Sequence, residues 1–463
     1  MKPMNRAVKK TIIVGGFFLV FIILLLNFLY ITRLKKPSII LILVDTLRPD
    51  HLGCYGYSKN VSPNIDKFSA DALLFKNCFS QASDTRLSCA SILSGFFPHE
   101  TKITESFVLP PDVTTLPEIL QQQGYTTAAV VSNYILRKNK GWDQGFMIYD
   151  DTMDQCELVR KCPERIAEYT TKKAIELIKE FHKDPLFLWV HYQDPHGPYT
   201  PPEPYNRMFG DPNQKCLNLK INYSVSGRGG IPTYQVLNEQ RNFYHYVSQY
   251  DGEIRYLDEH FGYLIEALKE YGIYNNALII FSSDHGEGMG EHNYYFAHGE
   301  EIYNSQIHVP CIVRYGRRLK GIRTNFVQHI DIVPTIINIL ALKKNPLFRG
   351  RDFRKAHAAG GEIFSETNSP FVWDSIKLSL IVDGLKLIYT PLFNQYQLFD
   401  LIEDPSEKNN LSGMSHYKKQ EDNLKIRLER VCKEDFLQIP ETIKPPDMTE
   451  EEKARLKSLG YLQ

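Results

Sequence analysis

Charge of either sign is in no surplus in this 463-residue chain, since Lys plus Arg and Asp plus Glu number 54 each. A nucleic-acid surface needs a basic excess on some domain or a basic tract, so no nucleic-acid partner is expected. Cys-x-x-Cys pairs are missing as well: the eight cysteines stand apart, which argues against a structural zinc site. Internal repeats and low-complexity tracts are absent, and with them the solenoid and disordered classes. What remains is ordinary globular composition, 43% hydrophobic and 23% charged, in a chain long enough for a large domain plus a smaller one.

One apolar run is long. Residues 1–10 form a basic segment with Lys2, Arg6, Lys9 and Lys10, and Thr11–Ile31 follows without a charge. That length spans a bilayer as a helix. A cleavable signal peptide would be shorter and end in small residues, whereas this run ends Asn27-Phe28-Leu29-Tyr30-Ile31 before Arg33, Lys35 and Lys36. The run therefore reads as an uncleaved single-pass anchor. The basic excess before the span favours a catalytic domain on the non-cytoplasmic side. The folded part begins almost at once, at Pro37, which would hold a site close to the membrane and suit a lipid or glycan substrate. In an oxidising compartment Cys156 and Cys162 would be the closest candidates for a disulfide.

From Pro37 to about residue 344, apolar β-branched runs alternate with amphipathic helical patterns, as in an α/β domain with a mostly parallel sheet. Expected strands are Ile39–Val44, Leu73–Phe79, Thr126–Val131, Leu186–Val190, Ala277–Phe281 and Val309–Arg314. Expected helices are Asn64–Ala72, Leu116–Gln123, Arg165–Phe181, Asn238–Tyr271 and Asp331–Leu340. The helix from Arg165 carries Ile166, Tyr169, Ala174, Leu177, Ile178 and Phe181 on one face. Residues 201–235, rich in Pro, Gly, Asn and Tyr, read as a long loop beside the site. From about 345 to 463 the pattern becomes antiparallel, with Lys377–Val382, Lys386–Thr390 and Tyr396–Phe399 followed by a helix at Tyr417–Cys432. This is a smaller C-terminal α+β subdomain.

Three of the buried runs end in metal-binding residue types. Asp45 follows the first, Asp284-His285 the fifth, and His191 with Asp194-Pro195-His196 the fourth. Open α/β sheets bind ligands at such carboxyl ends. Asp carboxylates and a His nitrogen suit a divalent cation. Between them Ser88-Cys89-Ala90-Ser91-Ile92-Leu93-Ser94-Gly95 reads as a helix closing on Gly, with Thr85 just before its start. A hydroxyl there lies where helix amides and dipole favour an anion, and a nearby metal ion would make it a nucleophile. Arg86 could pair with a charged substrate oxygen.

Several blocks, in order, resemble the sulfatase family of the alkaline phosphatase superfamily. They are Val44-Asp45-Thr46-Leu47-Arg48-Pro49-Asp50-His51-Leu52-Gly53-Cys54-Tyr55-Gly56-Tyr57; Ser283-Asp284-His285-Gly286-Glu287 with Glu291-His292 and His298-Gly299; His329-Ile330-Asp331; Leu398-Phe399-Asp400-Leu401 with Asp404-Pro405 and Asn410-Leu411; and the closing Leu456–Tyr461. The resemblance implies an alkaline-phosphatase-like sandwich with helices on both sides of its sheet. It implies one divalent ion (Mn, Zn, Ca or Mg) on Asp45, Asp284, His285 and Thr85. His196 and His298 would serve the leaving-group oxygen, His196 as general acid. His285, where Asn often stands, favours Mn or Zn.

Thr85 occupies the position of the Cys or Ser that becomes formylglycine. That maturation needs Pro two residues on and Arg four residues on, where this chain has Leu87 and Cys89. Thr here resembles instead the related phosphoethanolamine transferases, lipoteichoic-acid synthases and phosphodiesterases, which use the Thr oxygen itself. The expectation is a membrane-anchored, metal-dependent hydrolase of sulfate or phosphate esters. A phospho-group transferase modifying an envelope lipid or glycan is the enzyme alternative. A catalytically silent anion-binding protein is the alternative of another class.

Overall fold

The computed structural model describes residues 21–23, 36–103, 108–316, 318–355, 361–367 and 376–436. The strands in chain order are β1 (Ile39–Val44), β2 (Leu73–Phe79), β3 (Thr126–Val131), β4 (Ile148–Asp150), β5 (Gln155–Cys156), β6 (Pro163–Glu164), β7 (Leu186–Tyr192), β8 (Ile221–Asn222), β9 (Ile231–Pro232), β10 (Leu278–Ser283), β11 (His308–Tyr315) and β12 (Gly321–Gln328). Beyond them come β13 (Glu362–Thr367), β14 (Lys377–Val382), β15 (Leu385–Thr390) and β16 (Gln395–Asp400). An eight-stranded sheet runs in the order β12-β2-β11-β10-β1-β7-β3-β4. Only β11 is antiparallel to its neighbours, so the expected mostly parallel sheet is present.

β1 is apolar throughout because both of its faces are covered. Ile40, Ile42 and Val44 join a core with Ile65, Leu177, Ile178, Ile254, Phe261 and Leu268, which come from helices Pro63–Ser69, Ala167–Phe181 and Phe243–Glu270. Ile39, Leu41 and Leu43 face the other way, toward Leu87, Ile92, Leu116, Val333 and Ile336 of helices Thr85–Ser94, Leu116–Gln122 and Ile332–Ile339. Alternate side chains of one strand thus feed two cores. The Ala167–Phe181 helix departs from its expected face in one respect. Tyr169 is 46% exposed, and Thr170 and Thr171 are buried instead.

β13 to β16 form the antiparallel C-terminal sheet, on which Leu424, Leu428 and Cys432 of helix Lys418–Phe436 pack. β13 was not anticipated, because Glu362, Ser365, Glu366 and Thr367 break its apolar pattern. It lies against the segment after β2: Glu366 N donates to Gln81 O at 2.9 Å and Ser365 Oγ to Ser80 O at 2.6 Å. Phe348 and Phe353 pack into the core of the large sheet.

The expected membrane span, Thr11–Ile31, lies outside the described residues apart from 21–23, as does Leu456–Tyr461. No helix among the described residues is long and apolar enough to cross a membrane. Lys36 and Pro37 are held at the amino edge of the sheet, where Lys36 Nζ donates to Gln123 O and Tyr125 OH to Pro37 O. Asp45 sits at the opposite, carboxyl edge. Six residues of strand at about 3.3 Å each separate the edges by about 20 Å. Cys156 and Cys162 are both thiols.

Candidate active site

β1 lies between β10 and β7, and the register pairs Val44 with Ser283 on one side and Tyr192 on the other. This places Asp45, the residue after β1, beside Asp284, the residue after β10. Asp284 N donates to Val44 O and Asp45 N to Tyr192 O, which stitches the three carboxyl ends together. β2 is parallel to β1 through the intervening strands and delivers Thr85 to the same edge. Distant sequence segments converge because parallel strands all end on one side.

Thr85 is the first residue of its helix, which begins three residues earlier than the sequence pattern indicated. Asp84 is the cap, accepting from Leu87 N at 3.0 Å, so the Thr85 hydroxyl is free of that duty. Thr85 Oγ1 lies 3.2 Å from His285 Nε2 and 3.4 and 3.5 Å from the two oxygens of Asp45. His285 Nε2 is 3.6 Å from Asp45 Oδ1 and 3.9 Å from Asp284 Oδ2. These separations are long for hydrogen bonds. They suit ligands on a common ion, because bonds of about 2.0–2.3 Å at tetrahedral angles put neighbouring donors about 3.3–3.8 Å apart.

Outer contacts hold the donors in place. His285 Nδ1 lies 2.8 Å from Gly286 O, a pure acceptor, so Nδ1 carries the proton and the Nε2 lone pair faces the cluster. Asn133 Nδ2 donates to Asp45 Oδ2 at 2.7 Å, which leaves Oδ1 toward Thr85 and His285. Asp284 Oδ1 accepts from His285 N and Thr46 N, which leaves Oδ2 facing His285. Behind the cluster, Ser88 Oγ donates to Asp284 O and also meets His329 Nδ1, whose Nε2 reaches Ser282 Oγ. Burial pushes the pKa of His329 down to about 3, so it is neutral packing for the site.

All four expected metal ligands, Asp45, Thr85, Asp284 and His285, are fully buried together. Burial raises the Asp45 carboxyl well above its usual range, and the Asp284 charge beside it adds to the rise. Two carboxylates, an imidazole and a hydroxyl aimed at one point, with no Lys or Arg among them, fit a divalent cation.

His298 and His196 extend outward from this cluster. The His298 ring is 4.5 Å from that of His285 and 5.1 Å from that of His196. Glu287 Oε1 lies 3.2 Å from His298 Nδ1, while Tyr199 OH donates to Glu287 Oε2. Burial, with His298 nearby, pushes His196 well below the ordinary histidine pKa. His196 is thus neutral at neutral pH in the absence of a bound anion. Arg86 is buried, with Nε 4.0 Å from Asp84 Oδ1, rather than a solvated surface group.

Asn133 and His329 were not singled out from sequence as site residues. Asn133 ends the segment after β3, so the strand-end reasoning applied to β1, β7 and β10 would have found it. His329 lies in one of the resemblance blocks, but nothing local marks it as packing behind Asp284.

The family model described as Sulfatase matches residues 37–341. The chain is 22% identical to the N-acetylglucosamine-6-O-sulfatase of Bacteroides thetaiotaomicron over 496 residues, covering 86% of this chain and 87% of that protein. The structure of BT4656 in complex with its substrate D-glucosamine-2-N,6-O-disulfate superposes with a TM-score of 0.69 at 19% identity, covering 89% of this chain and 100% of that one. The phosphonate monoester hydrolase SpPMH from Silicibacter pomeroyi superposes with a TM-score of 0.70 at 18% identity, over 90% and 98% of the two chains. The α/β fold is therefore alkaline-phosphatase-like, and the chain belongs to the sulfatase family, a family of sulfuric ester hydrolases.

Proposed function

We propose that the protein hydrolyses a sulfate or phosphate ester of an anionic glycan or lipid, with the Thr85 oxygen as nucleophile. We further propose that Thr11–Ile31 anchors it as a single-pass membrane protein with the catalytic domain on the non-cytoplasmic side. The observation that carries the reading is the Thr85 hydroxyl, buried at a helix start within 3.5 Å of Asp45 and His285. Family enzymes generally bind a divalent ion. Here Asp45, Asp284, His285 and Thr85 would hold it, and when bound it supplies Lewis acidity to the nucleophile and the ester.

The chain's own groups divide the remaining work. Asp45, the carboxylate nearest Thr85 Oγ1, accepts the hydroxyl proton. The Thr85 oxygen forms a bond to sulfur or phosphorus as the ester oxygen departs with its electron pair. The helix start, with Thr85 as its first residue, offers backbone amides to the developing charge. His196 and His298 face the leaving oxygen, and His298 is oriented by Glu287. An arriving anion favours a charged His196, so substrate itself turns a neutral imidazole into a proton donor. Water then attacks the threonine ester, and Thr85 is regenerated with release of sulfate or phosphate.

Paired aryl phosphate, phosphodiester and sulfate esters, offered to the full chain with Mg, Mn, Ca or Zn, test the proposal. Metal-dependent cleavage of one ester class is expected. No cleavage of any ester, with no tightly held metal, would replace it with the anion-binding, non-catalytic reading.

A further inference from the structure

We infer that Cys89, His191 and Asp284 form a second metal site, for a borderline-soft divalent ion of which zinc is the first candidate. The site goes beyond the proposed function and depends on it only in sharing Asp284. Cys89 comes from the Thr85–Ser94 helix, His191 from β7 and Asp284 from the end of β10. One donor atom from each lies within 4.8 Å of the others, and all three residues are fully buried.

Helix periodicity explains the placement. Thr85 and Cys89 are four residues apart, so they share one face of the helix, a turn from each other. One helix thus presents a hydroxyl to the Asp45–His285 side of Asp284 and a thiol to the His191 side. Cys89 also stands where the formylglycine pattern carries Arg, so a permanent cation is exchanged for a residue that binds cations as a thiolate.

His191 carries the second observation. Its Nε2 lies 3.4 Å from Asp284 Oδ2, long for a hydrogen bond. Two donors on one tetrahedral zinc, at bonds of about 2.0–2.1 Å, lie about 3.3 Å apart. Its Nδ1 is buried with no hydrogen-bond partner. With the ring proton on Nδ1, the Nε2 lone pair faces the Asp284 carboxylate, an unfavourable pairing that a cation between them reverses. An ion between Nε2 and Oδ2 gives that lone pair and the carboxylate a common partner. The donor set of sulfur, nitrogen and oxygen is the kind that favours zinc over calcium or magnesium.

The test strips the full chain with chelator and reloads it with Zn²⁺ or, separately, Co²⁺. Two zinc ions per chain are expected, and the cobalt form should show the near-ultraviolet charge-transfer absorption of a cobalt–thiolate bond. Cys89→Ser, close in size to the native residue, should bind one zinc and lose that band, and His191→Gln should also fall to one zinc. Asp45→Asn should remove the other ion and keep the band. A wild-type protein holding one zinc without the thiolate band overturns the second site while leaving the Asp45–His285 site intact. Two zinc ions unchanged by Cys89→Ser overturn it equally. Circular dichroism of each variant shows that lost metal is not lost fold.

Discussion

Replacing Thr85 with Ala separates a nucleophile from a residue that merely begins a helix. The structure sets the expected cost of each role. Asp84 caps the helix, so Thr85→Ala removes no cap. The hydroxyl makes only contacts of 3.2–3.5 Å, and its neighbours keep their short bonds: Asp45 to Asn133 and His285 to Gly286. The loss in stability is then about one buried methyl, roughly 1 kcal/mol, or about 2 °C or less in Tm for a chain of this size. The loss in rate is of another order. Removing a catalytic nucleophile typically lowers kcat by about 10⁴–10⁶, which is about 5–8 kcal/mol of barrier. Thr85→Ser keeps the hydroxyl and should retain measurable turnover. The assay is kcat on the preferred aryl ester, with metal content and Tm measured on the same samples. Thr85→Ala retaining more than about 1% of kcat at unchanged metal content would refute the assignment. Intact mass of the peptide around Thr85 should show unmodified threonine, consistent with Leu87 and Cys89 in the positions that maturation reads.

Three further predictions follow from contacts around the site and the subdomain seam. Asn133→Asp keeps the turn bond to Ile135 N but replaces the amide that donates to Asp45 with a second carboxylate. Metal affinity should fall by about 10–100-fold in chelator competition, and an unchanged affinity would remove Asn133 from the site. Lys386 and Glu407 form a buried pair at 2.7 Å, and Glu407 also accepts from Asn304 N. Lys386→Ala strands a buried carboxylate and should cost about 3–5 kcal/mol in denaturant unfolding, with a change under about 1 kcal/mol counting against it. His99 bridges the subdomains through Glu366. Burial opposes its charge, but the Glu366 charge and hydrogen bond outweigh burial, so its pKa is raised. A raised histidine pKa stabilises fully below the unfolded value of about 6.5 and less as pH rises through the folded one. His99→Gln should therefore destabilise more at pH 5.5 than at pH 9, and equal losses would refute this link.

Most elements, and the Asp, His and Thr residues that meet at the candidate site, are legible along the chain. β2, β3 and β14 match their expected bounds, because an apolar β-branched run flanked by turn residues has few other ways to bury itself. Asp45, Asp284 and His285 were legible because each follows such a run. Motif order carried the family, and Thr85, Leu87 and Cys89 stand where the formylglycine pattern has Cys or Ser, Pro and Arg.

Tertiary structure decided what depends on neighbours distant in sequence. Sheet order set Asp45 beside Asp284 and brought Asn133 and His191 to the same edge. Packing of β13 against Ser80 and Gln81 overrode its polar composition. Desolvation by the surrounding core and the proximity of His298 made His196 neutral. Packing around the helix start buried Arg86 beside Asp84. The direction of β1 put Pro37 and Asp45 at opposite edges, which no linker length reveals. Periodicity and capping are local and can be read along a chain, whereas electrostatic environment and register arise only when separate segments meet.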